Sequence, residues 1–261
     1  MKKYTIKLLA LLLLVLSIFS TFAVSAKESK TVSWYVKRRG DLCPDFPMSK
    51  SEMKKYNSYC IDDNLKDGEK KIYLTFDSGY ANSNLEKILD VLKDEGVPAA
   101  FFLLDYIILK NTDLVIRMAD EGHTVCNHTK KHKDLSCASI SEISEDLSAL
   151  EKIYYEKTGR VMSKYFRFPE GKYSIDALSH VSELGYKTIF WSFGYEDWNN
   201  SKQPSKDYAK RKILSNTHNG AVFLFHPTSK TNADIFSDLI KEWRKMGYSF
   251  GTLDELCAEK A

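Results

Sequence analysis

From residue 71 onward, short apolar runs alternate with longer stretches whose apolar residues recur every three or four positions. The runs are rich in β-branched and aromatic residues, and we interpret them as strands at 72–76, 99–104, 124–126, 164–168, 187–193, 221–225 and 248–252. The stretches between them predict helices near 82–95, 111–121, 139–158, 174–184, 204–217 and 231–246. Five of these helices precede a glycine suited to a left-handed cap: Gly96, Gly122, Gly159, Gly185 and Gly247.

Strands that alternate with helices imply parallel strands joined by right-handed crossovers. Seven strands in one unit favour a barrel over an open sheet. We therefore predict an α/β fold for residues 71–258, a deformed (β/α) barrel of about seven parallel strands with surrounding helices. Residues 27–70 are polar and lack periodicity, so we expect an irregular N-terminal extension that packs on this main domain.

The first 26 residues predict a signal peptide. Three lysines lead into an apolar run, 8–19, that only Ser17 interrupts, and small residues precede Lys27. The run is shorter than the roughly 20 residues that cross a bilayer. We expect cleavage, export from the cytoplasm and no stable membrane span afterwards, with an uncleaved N-terminal anchor as the alternative.

Net charge narrows the range of partners. The chain has 38 Lys and Arg against 35 Asp and Glu, and the leader carries three lysines and no acid, so the remainder is balanced. A balanced chain has no net attraction for nucleic acid or anionic lipid. A neutral partner such as a glycan fits better.

The five cysteines do not form a complete disulfide framework, because their number is odd. Export would permit a Cys43–Cys60 disulfide. Free, partly buried thiols are the equally weighted alternative.

Two charged residues follow predicted strands and suggest chemistry. Asp77 stands between a buried strand and Gly79, where α/β barrels place functional acids, and it is suited to act as general base or metal ligand. Its alternative is to cap the next helix. Arg167 ends a strand before Pro169, and its guanidinium can grip Asp77 and hold it ionised. Its alternative is an ordinary surface salt bridge.

Histidines supply the second group of candidates. His128 and His132 are four residues apart, which on a helical turn places both imidazoles on one face and suits a divalent ion such as zinc. His226 ends the strand before Pro227 and can act as general acid, oriented by Asp197. The alternatives are solvated histidines in a lysine-rich loop and a structural His226.

Trp198 follows Asp197, and its ring can stack on a sugar; the alternative is a core tryptophan. Ser78 lacks the G-x-S-x-G context of a hydrolase nucleophile. The sequence contains no Walker loop, dinucleotide fingerprint or EF-hand loop.

Taken in order, five segments resemble the NodB-homology polysaccharide deacetylases over about residues 71–256. They are TFDSGY at 75–80, HTKKH at 128–132, RFPEG at 167–171, Asp197-Trp198 and Leu224-Phe225-His226. The resemblance implies a deformed barrel that removes acetyl groups from N-acetylated sugars. It further implies metal ligation by His128 and His132, with Tyr80, Glu170 and Trp198 at the substrate.

Further segments resemble the branch that forms muramic-δ-lactam, the PdaA-type deacetylases: Trp34-Tyr35, 72–77, 98–102, 122–125, 127–129, 232–234 and 247–250. This branch deacetylates muramic acid in spore-cortex peptidoglycan. The resemblance implies a peptide-free glycan strand as substrate, an amidase acting upstream, and a location in the cell wall or a spore intermembrane space. The alternatives are an N-acetylglucosamine or chitin-type deacetylase and a catalytically weak glycan-binding module.

One position departs from the family pattern. Ser78 stands where the family usually has a second acid that binds the metal, although the PdaA-type branch is similarly relaxed there. A neutral hydroxyl is a weaker ligand than a carboxylate, so we expect weakened divalent binding and leave metal dependence open.

Overall fold

The computed structural model describes residues 30–258, of which 31–258 belong to one unit. The predicted signal peptide lies outside the described residues. Within the described part of the chain, no helix is long and apolar enough to cross a membrane.

The segment before residue 70 is more regular than the sequence predicted. It contains four short strands and one helix: β1 (Val32–Ser33), β2 (Lys37–Arg39), β3 (Leu42–Asp45), α1 (Lys50–Lys55) and β4 (Ser58–Tyr59). The sequence pattern, which favoured an irregular extension, did not predict these short elements. Strands of two to four residues are too short for an alternating pattern to be visible in the sequence.

All seven strands predicted for the main domain are present. They are β5 (Lys71–Ser78), β6 (Ala100–Leu103), β7 (Thr124–Asn127), β8 (Tyr165–Phe166), β10 (Lys187–Ile189), β11 (Val222–Phe225) and β12 (Ser249–Gly251). A further two-residue strand, β9 (Lys172–Tyr173), follows a 3₁₀ turn at Pro169–Gly171 and pairs with β1 instead of joining the main sheet.

The six predicted helices are present as well. They are α2 (Ser83–Asp94), α4 (Thr112–Asp120), α5 (Ile140–Thr158), α6 (Ile175–Glu183), α7 (Lys206–Leu214) and α8 (Lys230–Lys245). The short helices α3 (Asp105–Lys110) and α9 (Leu253–Leu256) were not predicted, because one or two turns show little periodicity. The five predicted cap glycines all have positive φ, as a left-handed cap requires.

The main sheet has eight parallel strands in the order β11-β5-β6-β7-β8-β10-β4, with β12 beside the start of β5. Its eighth strand, β4, comes from the N-terminal segment and pairs with β10. Single bridges join Ile61 to Ala221 and Phe193 to Phe223, so the chain beyond β4 and β10 reaches β11 and the sheet curls toward closure. The predicted deformed barrel is confirmed.

Alternation along β5 explains how the barrel presents polar groups at one end. Ile72, Leu74 and Phe76 belong to the apolar cluster that includes the core faces of α2 and α8. Tyr73 belongs to a separate cluster with apolar residues of β6, β7, β10 and β11. Because successive side chains of a strand point to opposite faces, Asp77 lies on the same side as Tyr73, at the carboxyl end of the strand.

Among the described residues all five cysteines are free thiols, with Cys43 exposed and Cys60 buried. The Cys43–Cys60 disulfide is therefore not formed in this structure, and the free-thiol alternative holds. Burial raises the pKa of the Cys60 thiol, which keeps this side chain neutral and apolar in character.

Candidate active site

Asp77 and Arg167 form a buried ion pair at the end of β5. Nη1 of Arg167 donates to Oδ1 of Asp77 at 2.7 Å, and Nη2 donates to the Thr75 hydroxyl at 2.8 Å. Arg167 is fully buried, with its guanidinium 4.1 Å from the centroid of the Phe102 ring. Burial by itself raises the pKa of the Asp77 carboxyl, but the charge and hydrogen bond of Arg167, together with the nearby imidazoles of His128 and His226, outweigh it and leave that pKa below its ordinary value.

His128 lies beside this carboxylate. Its Nδ1 donates to the backbone carbonyl of Arg167 at 2.9 Å, which leaves Nε2 as an acceptor. Nε2 is 3.5 Å from Oδ2 of Asp77. Burial lowers the pKa of the His128 imidazole to about 4, so the ring is neutral near neutral pH.

The His128–His132 segment is not a helical turn, and that part of the prediction is wrong. Residues 128–139 form a loop after β7, in which Thr129 and His132 have φ of 70° and 58°. The left-handed residues bend the chain back on itself, and the Thr129 side chain accepts from the Lys133 N–H at 3.1 Å. The two imidazole centroids nevertheless lie 5.1 Å apart.

His226 and Asp197 form a second pair, at the end of β11. Nδ1 of His226 donates to Oδ1 of Asp197 at 2.7 Å, while Oδ2 accepts from the His226 backbone N–H at 2.8 Å and from Asn232 Nδ2 at 2.6 Å. Asp197 is fully buried. Burial by itself lowers the pKa of the His226 imidazole, but the Asp197 carboxylate outweighs it and raises that pKa above its ordinary value.

Both pairs border one cavity of about 850 Å³. Eight of the ten residues predicted for the site line it: Asp77, Ser78, Tyr80, His128, His132, Glu170, Trp198 and His226. The other two, Arg167 and Asp197, are buried and hydrogen-bonded to residues that line it. The structure therefore brings together motifs that are up to about 150 residues apart in the sequence.

The rim of the cavity is aromatic and partly acidic. Trp198 is 56% exposed and its ring centroid lies 6.2 Å from that of His226, so the alternative of a core tryptophan is wrong. The Tyr80 hydroxyl accepts from Asn200 at 2.6 Å. Glu170, with φ of 55°, pairs with Lys172 at 2.7 Å.

Comparison with known proteins identifies the family. Residues 64–189 match the model of the polysaccharide deacetylase family. The chain is 35% identical over 237 residues to the peptidoglycan-N-acetylmuramic acid deacetylase PdaA of Bacillus subtilis, a match that covers 90% of this chain and 89% of that protein. This chain belongs to the polysaccharide deacetylase family. As a member, it is a carbohydrate deacetylase.

Two further relatives of this deacetylase inform the comparison. The solved structure of Bacillus subtilis PdaA, described as a family 4 carbohydrate esterase, superposes with a TM-score of 0.81 at 35% identity, covering 87% of this chain and 97% of that one. The peptidoglycan-N-acetylglucosamine deacetylase PgdA of Listeria monocytogenes is 33% identical over 191 residues, which are 73% of this chain and 40% of that protein.

The donor set for a metal in this deacetylase is incomplete. His128 presents an unprotonated Nε2 close to a carboxylate oxygen, an arrangement of two acceptors that favours a cation beside them. His132 is the second imidazole. Within residues 30–258, however, no group of three His, Cys, Asp or Glu side chains is arranged to hold a metal ion. The residues therefore fit a divalent ion held by two histidines, more weakly than a three-ligand site would hold it.

Ser78 does not complete this set. Its hydroxyl is buried and donates to the Tyr80 carbonyl at 3.4 Å. A hydroxyl is a neutral and weak ligand, so its presence here agrees with the expectation of weakened binding.

Sequence reasoning missed several polar residues of the site, among them Asn232 and Arg38. Asn232, the third residue of α8, donates to Asp197 and accepts from the Tyr195 hydroxyl. Arg38, from β2, lines the cavity mouth. Asn232 lies in the segment 232–234, which supported the family resemblance without indicating a role in the site, and Arg38 lies in no motif; the packing of α8 brings Asn232 to Asp197, and that of the N-terminal segment brings Arg38 to the cavity.

Proposed function

We propose that this deacetylase removes the N-acetyl group from muramic acid residues of peptidoglycan. The observation that supports this most directly is that Asp77 and His226 border the same cavity in opposite electrostatic settings. One carboxyl is kept ionised and one imidazole is kept more readily protonated. These are the states that a general base and a general acid need for amide hydrolysis.

In the proposed first step, a water molecule attacks the carbonyl carbon of the acetamide. Asp77 accepts a proton from that water as the new carbon–oxygen bond forms. Arg167 holds the carboxylate in place through Oδ1 and leaves Oδ2 outside that hydrogen bond, 3.5 Å from Nε2 of His128. The same guanidinium is anchored by Thr75 and the Ile189 carbonyl, so the base is held rigidly.

In the second step, the carbon–nitrogen bond breaks and the amine leaves. His226 supplies the proton that the departing nitrogen requires, and Asp197 stabilises the imidazolium before that transfer. The products are acetate and a free amino sugar. The proton that Asp77 accepted balances the one that His226 gave up, so the enzyme returns to its starting state after proton exchange with solvent.

His128 and His132 would hold a divalent ion, for which zinc is our first candidate. When bound, such an ion would polarise the acetamide carbonyl and stabilise the negative oxygen of the tetrahedral intermediate. The neutral state of His128 suits this role, because a metal ligand must be deprotonated.

The muramic substrate is supported by the similarity to PdaA, which covers nearly the whole of both chains. Tyr80 and Trp198 offer exposed aromatic surface at the rim of the cavity, suited to stacking on sugar rings. After deacetylation, the muramic amine can attack its own lactyl carboxyl, with loss of water, to close a δ-lactam. That closure needs a muramic residue whose peptide an amidase has already removed, as in spore cortex. Because such a substrate lies in the wall, we propose that the enzyme acts outside the cytoplasm.

The test is acetate release from purified peptidoglycan strands. We expect release from strands that an amidase has freed of peptide, together with a muramic product that has lost its acetyl group or closed to the lactam, detected by mass spectrometry. Chelation should reduce this rate and added zinc should restore it. Glycan binding without acetate release would contradict the proposal and favour a glycan-binding module, in which the weak ligand Ser78 would have no catalytic consequence.

An N-acetylglucosamine deacetylase is the second candidate, and the 33% identity to PgdA supports it. The same assay separates the two, because mass spectrometry shows which sugar has lost its acetyl group. Release from chitooligosaccharides and from the glucosamine residues alone would favour this second candidate.

A further inference from the structure

The N-terminal segment is clamped to the barrel close to the cavity. The Trp34 ring stacks on Phe190 with centroids 4.2 Å apart, and its indole N–H donates to the Trp191 carbonyl at 2.9 Å. Gly171 has φ of 65°, and a Cβ at this position would lie only 2.7 Å from Cβ of Trp34. The approach therefore requires glycine, and it fixes the segment four residues before Arg38.

Arg38 reaches from this segment into the lining of the cavity. One of its terminal nitrogens donates to the Gly194 carbonyl, and the guanidinium lies 5.3 Å from the centroid of the Phe193 ring. A guanidinium has five N–H donors in a rigid fork. The contact with Gly194 orients the group at the mouth and uses only part of its capacity to donate.

The acids of the cavity do not neutralise Arg38. Asp77 is paired with Arg167 and Glu170 with Lys172, both at 2.7 Å. Glu196 also lines the cavity and, like Arg38, is exposed to solvent; screening weakens the attraction between them, and the described residues show no ion pair between the two.

Lys212 is the other lysine or arginine among the described residues that line the cavity. Lys212 donates to the Tyr208 hydroxyl at 2.7 Å, and its ammonium lies 5.0 Å from the centroid of that ring. Both cations keep donors to spare, but of the two only Arg38 has the planar fork that matches a carboxylate bidentately, so Arg38 is better suited to receive an anionic group of the substrate.

A muramic residue differs from glucosamine by a lactyl ether that ends in a carboxyl. That carboxyl is a free anion when the peptide is absent and a neutral amide when the peptide is attached. We propose that Arg38 binds the free lactyl carboxylate and makes the enzyme selective for peptide-free muramic residues. This inference rests on the proposed function and names the residue that recognises the free carboxylate of the substrate.

The experiment compares two versions of the same peptide-free strands, one with free lactyl carboxyls and one with the carboxyls converted to methyl amides. We expect Arg38→Gln to lower the ratio of kcat/KM between the two by about 10- to 100-fold, the usual weight of a charged hydrogen-bonded pair. Arg38→Lys should retain part of the ratio. Arg39→Gln is the matched control, since Arg39 shares the strand, pairs with Asp45 and does not line the cavity.

The outcomes are distinguishable. A wild-type ratio in a folded Arg38→Gln variant, or a loss of ratio in Lys212→Gln alone, overturns the inference and leaves the deacetylase proposal intact. Absence of acetate release from both strands by the wild-type enzyme overturns the proposed function and this inference with it. Melting temperatures of all variants show whether an altered ratio reflects misfolding.

Discussion

The Asp77–His128 pair and the Asp197–His226 pair border one cavity, yet they are built in opposite ways. In the first, the imidazole is the more buried member, with 3% of its side chain exposed against 10% for the carboxylate. In the second, the carboxylate is fully buried and the imidazole is 26% exposed. The two pairs thus use the same residue types but offer different members to the substrate.

The difference lies in what else contacts each carboxylate. Asp77 is paired with a buried guanidinium, so it remains an anion without needing a proton on His128. Among the described residues, no lysine or arginine pairs with Asp197, which accepts hydrogen bonds from His226 and Asn232, so a proton on His226 balances its charge. Neighbouring groups, more than residue identity, therefore divide the proposed roles of base and acid.

The largest expected effect comes from removing the charge of Asp77. Asp77→Asn preserves the shape of the side chain but abolishes proton acceptance, and we expect kcat/KM for acetate release to fall about 1,000-fold. Asp94→Asn is the matched control, because Asp94 is an exposed acid at the end of α2. Activity within a fewfold of wild type in Asp77→Asn would show that this carboxylate is not the base.

A smaller effect is expected from Asp197→Asn, which removes the anion that holds the proton on His226. A general acid works only while protonated, so activity falls as pH rises through its pKa. Without Asp197 the pKa of His226 decreases, and the alkaline limb of the pH–rate profile should move to lower pH, with a rate loss of about 100-fold near neutrality. An unmoved limb in a folded variant would contradict the assignment of His226 as acid.

The smallest effect concerns stability, and it has opposite signs for the two histidines. Burial lowers the pKa of His128 from 6.5 to about 4, so acidification through this range protonates the unfolded chain first and destabilises the fold, by on the order of 2–3 kcal/mol. The pKa of His226 is raised instead, so its contribution is present below 6.5 and is lost as pH rises through the folded-state value.

Urea unfolding of chelator-treated protein across pH measures both contributions. His128→Gln should flatten the acid side of the stability profile, whereas His226→Gln should flatten its neutral-to-alkaline side. His123 tests the effect of burial alone. Burial lowers the pKa of this imidazole to about 4 as well, but the ring packs on Phe101 and belongs to neither pair, so His123→Gln should also flatten the acid side of the profile. Identical profiles of stability against pH for His128→Gln and His226→Gln would show that the two pairs do not differ in their electrostatics.

The sequence alone determined the elements of the barrel and most of the residues that meet at its cavity. Apolar periodicity marks β5 and α2 because each must bury one side, and the same burial requirement places Asp77 where its strand ends. The resemblance of the ordered motifs to one family then pointed to a glycan amide as substrate. The elements could be predicted from local apolar patterns and the substrate class from matched motifs, and both kinds of signal are present in one sequence without any knowledge of tertiary contacts.

Only the tertiary structure decided how charge is distributed between the two pairs and what the N-terminal segment contributes. The pKa directions of Asp77 and His226 depend on burial and on Arg167 and Asp197, which are distant in sequence. The strand β4 and the placement of Arg38 depend on contacts with β10 and with Gly194. Such contacts form between segments far apart in the chain. Strands of two or three residues are too short to show the periodicity from which they could be predicted.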